Sequence, residues 1–345
     1  MISFIIKRVL SGLFSLGFIL FLSCWLIRLI PGSYHEIMQA ENAFEQNSDF
    51  HNLTPEPVFY FSWIPSTPDS SQTLSLYPKF KWNGHENSFH NLVFNYSSGN
   101  FGKSVVDQQA VFGKFLQALP WSLSLQLPAI LMILFISLWL GRQSVLYPDS
   151  WILTIVNNSF IWIHAVPVFW LASLLLLMFA NPDMLKLFPS GMQNLENPNP
   201  WLVWLKQPEF MILPLICFVL PSIAYLSRLV KNGMEEVTHK FYWIRALSSG
   251  MSYQQALKSE AYPVVMMPVI AWIGSLFPML ISGSLIIEQI FSVPGLGRLM
   301  YHSITVRDWP QVQFLLFIGA TFTILGFLIS DILYRIYNPQ LNSKQ

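Results

Sequence analysis

Charge is what this chain has least of. Asp, Glu, Lys and Arg make up 11% of its 345 residues, whereas an ordinary soluble domain carries about 25%. So few charges cannot dress the surface of a soluble globule of this size. The apolar residues, 53% of the total, run in blocks rather than alternating, and the mean hydropathy is +0.46. A net charge of +1 lacks the basic footprint of a nucleic-acid binder. Cysteine is scarce too: Cys24 and Cys217 stand in apolar runs without a partner cysteine or clustered histidine. That excludes a disulfide framework and a zinc pattern and leaves them as small hydrophobes within helices. The composition is that of an all-α membrane protein that crosses the lipid bilayer several times.

A spanning helix needs about 20 apolar residues, because a rise of ~1.5 Å per residue must cover ~30 Å. Six segments meet this: Val9–Ile30, Trp121–Leu140, Phe160–Phe179, Met211–Leu229, Val264–Ile287 and Phe314–Tyr334. The first follows Lys7 and Arg8 as a signal peptide would. Its apolar run is too long for one, and Pro31-Gly32 stands where a small-residue cleavage site would fall, so a retained first span is expected. Basic residues crowd the stretch from Arg228 to Lys258 and flank the first span, while other lysines spread through long loops that weigh little in orientation. Both termini and the loop 232–263 are therefore expected in the cytoplasm. The expected organisation is a cytoplasmic N-terminus and first helix over 1–31, a large extracytoplasmic insertion over 32–115, and a core of five further helices over 116–345.

Little in the sequence supports chemistry by the chain itself. Gly99-Asn100-Phe101-Gly102-Lys103-Ser104 imitates a phosphate-binding loop, but position 97, where the first glycine should fall, is Ser97. Gly295-x-Gly297 lacks the third glycine of a dinucleotide fingerprint and follows no strand. His35-Glu36 and His85-Glu86 lack the second histidine of a zinc-protease helix. His164 lies within a span, either as a packing donor or as a functional group. No span interior carries the acid or base that ion-coupled transporters retain there. Neither a metal nor a cofactor is expected, and no catalytic residue.

The loop 232–263 is the informative stretch. It is too polar for lipid and strongly helix-forming. Glu235 and Glu236 open one expected short helix, which ends near Ser248-Ser249-Gly250, where Gly250 suits a left-handed closing residue. Ser252 and Gln255 then have the S-x-x-Q spacing of a capping box, and the second helix is expected to stop at Pro263. Two short helices hinged at a glycine make a compact cytoplasmic knob, either an ordinary loop or a docking surface.

At these residues the chain resembles the permease subunits of bacterial ABC importers for dipeptides and oligopeptides. Tyr242 through Gly250, continuing to Pro268-Val269-Ile270, is similar to the family's EAA-type loop. Glu288-Gln289-Ile290-Phe291-Ser292-Val293-Pro294-Gly295-Leu296-Gly297 is similar to its E-x-I-F-S-x-P-G-L-G signature. Weaker likenesses follow in the family's order: Leu29–Gly32, the F-G-x-S element at Phe101–Ser104, Pro167–Leu171, Phe188–Gly191, Arg307-Asp308-Trp309-Pro310 and Asp331–Tyr334. The loop after the first span is unusually long, and the EAA stretch is less basic and alanine-rich than is usual for the family.

The resemblance implies the six-helix fold of a type I importer in a bacterial inner membrane. It implies a second permease, usually a paralogue, two cytoplasmic ATP-binding subunits and an extracytoplasmic substrate-binding protein. Arg245, Ala246, Gly250, Ser252, Gln254 and Gln255 would form the ATPase contact or its geometry. Glu288, Phe291, Pro294, Gly295 and Gly297 would be a structural signature in a re-entrant or surface turn. A membrane scaffold that reuses the fold without an ATPase is the alternative.

Overall fold

The computed structural model describes residues 2–29, 61–64, 79–82, 84, 87–194, 199–282 and 285–337. Pro31-Gly32, His35-Glu36, His85-Glu86 and most of the expected insertion before Asn87 lie outside them. Helices dominate. They are α1 (Ile2–Leu29), α2 (Ser88–Ser97), α3 (Val111–Leu146), α4 (Trp151–Ala165), α5 (Val168–Phe179), the single turn α6 (Val203–Lys206), α7 (Glu209–Thr238), α8 (Phe241–Ser248), α9 (Tyr253–Ala256), α10 (Tyr262–Ser282), α11 (Leu285–Ile290), α12 (Leu296–Thr305) and α13 (Trp309–Tyr337). Two strands, β1 (Phe61–Ile64) and β2 (Lys79–Trp82), pair antiparallel with Phe61 opposite Trp82.

Five stretches are long and apolar enough to cross a bilayer: Ile6–Ile27, Val111–Leu146, Glu209–Thr238, Tyr253–Leu276 and Trp309–Ile336. The bent pair α4 and α5, taken as one span, brings the total to six. The architecture is that of an all-α membrane protein, and three local expectations need correction.

The third span is two helices rather than one, bent by 107°. Val166 turns extended at φ −80°, ψ 127° because a following proline disfavours the helical region for the residue before it. In the loop region 232–263, Glu235 and Glu236 do not begin a separate helix. α7 runs unbroken to Thr238, and Lys231–Glu235 and Glu236–Lys240 pair at 3.5 and 2.9 Å across one turn each, which supports its exposed end.

Pro263 does not end a helix either. α9 passes through a π turn at Leu257–Ala261 into α10, and the Tyr262 N–H reaches back to the Leu257 carbonyl. That widening falls immediately before the proline, whose ring would otherwise press on the carbonyl four residues back.

The chain forms two compact units. One takes residues 1–115 and 302–320, the other 116–301 and 321–345. In the first, Asn87 caps α2 by accepting the His90 N–H at 2.8 Å. Phe101 packs between Tyr96 and Phe314, with ring centroids 5.3 and 4.8 Å away. Asp308 is buried and accepts hydrogen bonds from Ser104 Oγ at 2.6 Å and Val105 N–H at 3.1 Å.

In the second unit, Leu125 and Ile133 of α3 are buried with Met211 and Leu226 of α7. Glycines bring helices together, as small residues do where lipid offers no hydrophobic drive. A Cβ on Gly141 would meet Val230 Cβ at 2.7 Å, and one on Gly274 would meet Ser330 Cβ at 2.5 Å.

Candidate functional site

Two local structures in the second unit hold the residues singled out from the sequence. The first is the knob that follows α7. The chain leaves α7 at His239, and α8 begins at Phe241. At the end of α8 the Gly250 N–H bonds to the Leu247 carbonyl at 3.0 Å and the Met251 N–H to the Ala246 carbonyl at 3.3 Å. These are the two bonds of a Schellman motif, with Gly250 at φ +90° in its left-handed position. A Cβ on Gly250 would touch nothing within 4 Å, so backbone conformation alone makes glycine necessary there.

The chain restarts two residues later. Ser252 Oγ accepts the Gln255 N–H at 3.3 Å, and Gln255 Oε1 accepts the Ser252 N–H at 2.9 Å, a complete capping box. Trp243 and Tyr253 meet edge to face across the hinge with centroids 5.1 Å apart.

The inner side of the knob is Trp243, Ala246, Ala256 and Leu257, all buried. Arg245, Gly250, Ser252, Gln254 and Gln255 are exposed. Ala246 is therefore a packing residue. The outer side of α8 is unusually apolar: Phe241 is 92% exposed and Ile244 55%, with Leu247 and Met251 also exposed. Sequence reasoning missed these four. Their signal was the spacing 241, 244, 247, which places three apolar side chains on one face while 243 and 246 take the other.

The second structure surrounds Glu288. α11 delivers this side chain to full burial, and its carboxylate is enclosed by donors. Oε1 accepts from Ser122 Oγ at 2.9 Å, and Oε2 accepts the backbone N–H of Gly297 at 2.7 Å and of Arg298 at 3.3 Å. Ser122 Oγ in turn accepts the Leu296 N–H at 2.8 Å. The donating amides are the first of α12, the otherwise unsatisfied donors that favour a negative charge at a helix start.

The two glycines are required by space. A Cβ on Gly295 would fall 2.5 Å from Ser122 Oγ, and one on Gly297 would fall 2.6 Å from Leu285 Cα. Phe291, Val293 and Leu296 are buried, and Ser292 adopts φ +56°. Its carbonyl accepts from the Arg298 guanidinium at 2.8 Å. Within this stretch Pro294 is exposed while its neighbours are buried, which corrects the surface-turn expectation. The signature is a buried anchor that locks the junction of α11, α12 and α3. Among the described residues no cluster of His, Cys, Asp and Glu could hold a metal ion.

The profile of the family described as the inner-membrane component of binding-protein-dependent transport systems matches residues 133–343, which takes in the knob and the Glu288–Gly297 stretch. The chain is 35% identical over 245 residues to a peptide transport system permease protein of Brucella abortus, covering 70% of this chain and 75% of that one. It is 29% identical over 299 residues to an oligopeptide transport system permease protein of Bacillus subtilis, covering 82% and 93%. A dipeptide transport system permease protein of Haemophilus influenzae is 28% identical over 265 residues, covering 72% and 79%. With five to six apolar crossings among its described residues, a hinged knob and a buried glutamate anchor, this chain belongs to the family of binding-protein-dependent transport system inner-membrane components, as a permease subunit.

Proposed function

We propose that this permease carries peptides inward and that the knob at 239–262 is where ATP hydrolysis reaches it. The peptide cargo is taken from the relatives, which are named for peptide, oligopeptide and dipeptide transport. One observation carries the coupling role: a rigidly capped helix presents Phe241, Ile244 and Leu247 to solvent, next to Arg245. A monomeric soluble surface rarely offers such an apolar patch unless a partner covers it.

The partner proposed is an ATP-binding subunit, one on each of two permeases, with Gln254 and Gln255 at the edge of the contact. Gly250 and Ser252 set its geometry. Both termini and the knob then face the cytoplasm, residues 32–115 stand on the opposite side toward a substrate-binding protein, and 116–345 form the transport core. The second permease is a paralogue. ATP chemistry belongs to the partners; this chain supplies passage and lever.

Mild-detergent purification of the chain from its own membranes, followed by mass spectrometry, tests the assembly. Recovery of a Walker-motif ATPase with a second permease is the expected result. Isolation of the chain alone would overturn it and restore the scaffold alternative.

A further inference from the structure

Arg228 stands near the end of the apolar part of α7 without an ion pair among the described residues. The acids that follow it are already engaged, Glu235 by Lys231 and Glu236 by Lys240. One turn before and one turn after Arg228 come Ala224 and Asn232, so α7 itself offers no counter-charge. The guanidinium lines a cavity of about 480 Å³ between α4 and α7, together with Ile161, His164, Tyr225 and Asn232.

The far end of that cavity is polar as well. His164 Nδ1 lies 3.2 Å from the carbonyl oxygen of Pro221. A carbonyl only accepts, so Nδ1 donates in this contact and Nε2 is the ring nitrogen left for another partner. Tyr225 stacks on the imidazole with centroids 6.3 Å apart. Pro221 also lines a second cavity of about 250 Å³, walled by Cys217, Leu285 and Ile287. A cation of α7, a histidine ring nitrogen of α4 and an adjoining apolar recess thus lie in succession beside α7. From Pro221 to Arg228 is seven residues, about 10 Å of helix, close to the length of three extended residues of a peptide chain.

We infer that the groove between α4 and α7 is an anion subsite of the translocation path, where Arg228 receives the terminal carboxylate of a short peptide whose N–H groups turn toward His164. A membrane lipid would place a phosphate against Arg228, but its acyl chains would then meet the polar ring of His164. A peptide satisfies both ends. The inference rests on the peptide reading of the cargo, and its test has one arm that does not.

In the assembled transporter, with Cys24 and Cys217 replaced by serine and alanine, Ile161→Cys is labelled by an anionic sulfonatoethyl and a cationic trimethylammonioethyl thiosulfonate. A lining cation raises the local concentration of anions, so Arg228→Gln is expected to lower the anionic-to-cationic rate ratio at least fivefold. An unchanged ratio overturns the subsite. So does reaction with a lipid-soluble maleimide alone, the outcome expected of a lipid-filled groove.

The second arm measures uptake of trialanine and of its C-terminal amide by the reconstituted complex. Arg228→Gln is expected to cut trialanine uptake at least fivefold and amide uptake less than twofold. Equal losses overturn the carboxylate assignment. If the unaltered complex takes up neither compound, the peptide reading fails, while the labelling arm still decides the anion subsite.

Discussion

Ser104 and Asp308 stand 204 positions apart in the chain, yet the serine hydroxyl donates to the aspartate Oδ2 at 2.6 Å within the first unit. The bond joins two motifs that look unrelated in the sequence, Phe101-Gly102-Lys103-Ser104 and Arg307-Asp308-Trp309-Pro310. It also gives the imitation phosphate loop its structural meaning. Ser104 is buried against a carboxylate, and no phosphate could take that place.

Asp308→Ala removes the acceptor from both Ser104 Oγ and the Val105 N–H. Hydrogen bonds to a charged group contribute roughly 1.5–3 kcal/mol, so a loss of that order is expected in the thermal unfolding of detergent-solubilised protein. Ser104→Ala is expected to cost less. Because the residues are in direct contact, the double variant should be less destabilised than the sum of the two, by about 0.5–3 kcal/mol. Strict additivity would show that the bond contributes nothing.

Asp107 provides a pH test in the same unit. Burial pushes its carboxyl up, but the hydrogen bond and charge of Lys114 and the Gln109 N–H outweigh that and hold it below the ordinary value of 3.8. Lys114 Nζ lies 2.7 Å from Asp107 Oδ2. A carboxyl depressed by folding contributes stability above its unfolded pKa and loses it as pH falls through the lower folded value. The side chain is 36% exposed, so the contribution stays under about 1 kcal/mol. Unfolding midpoints recorded from pH 7 to 3 should fall more steeply below pH 3.8 for the unaltered protein than for Asp107→Asn. Parallel curves would contradict the pairing.

What could be read from the sequence divides by range. The closure at Gly250 and the Ser252–Gln255 box are set by residues at most five apart, so spacing alone announces them. The Glu288–Gly297 signature is visible as a string of residues, but its reason is not. Ser122, the partner that ties Glu288 to α3, lies 166 positions earlier in an apolar run that reads only as membrane. Continuity of helices was the other blind spot. Pro167 breaks a span whereas Pro263 does not, although both follow helix-forming residues. The difference is the π turn at Leu257–Ala261, a property of backbone hydrogen bonding that residue types do not display.

The glycines beside Glu288 test the anchor. Gly297→Ala places a methyl group 2.6 Å from Leu285 Cα, where backbone must move. Overpacking of this kind costs about 1–3 kcal/mol. Gly295→Ala meets Ser122 Oγ and the Glu288 carboxylate instead, and displaces the acceptor from the amides of α12. Both variants should unfold at lower temperature in detergent. Combining Gly295→Ala with Glu288→Ala frees the space but strands the amides, so stability should not return. Full recovery in that double variant would reduce the glutamate to a packing element.

The knob separates geometry from contact. Gly250→Ala keeps every side chain of α8 and strains one residue, because φ +90° suits alanine poorly; left-handed conformations cost roughly 1–2 kcal/mol. Phe241→Ala leaves the hinge intact and removes a side chain that is 92% exposed, so the fold should not notice its loss. An aromatic residue at the centre of an interface is worth about 2 kcal/mol or more when truncated, roughly a thirtyfold change in affinity. Phe241→Ala is therefore expected to lose the co-purifying ATPase while its thermal midpoint stays unchanged. Gly250→Ala should retain the ATPase with a lowered midpoint, and Gly250→Pro should insert into the membrane yet fail to transport. Normal uptake by Gly250→Pro would refute the hinge. Undiminished ATPase recovery with Phe241→Ala would move the contact away from the apolar face, toward Arg245 and the two glutamines.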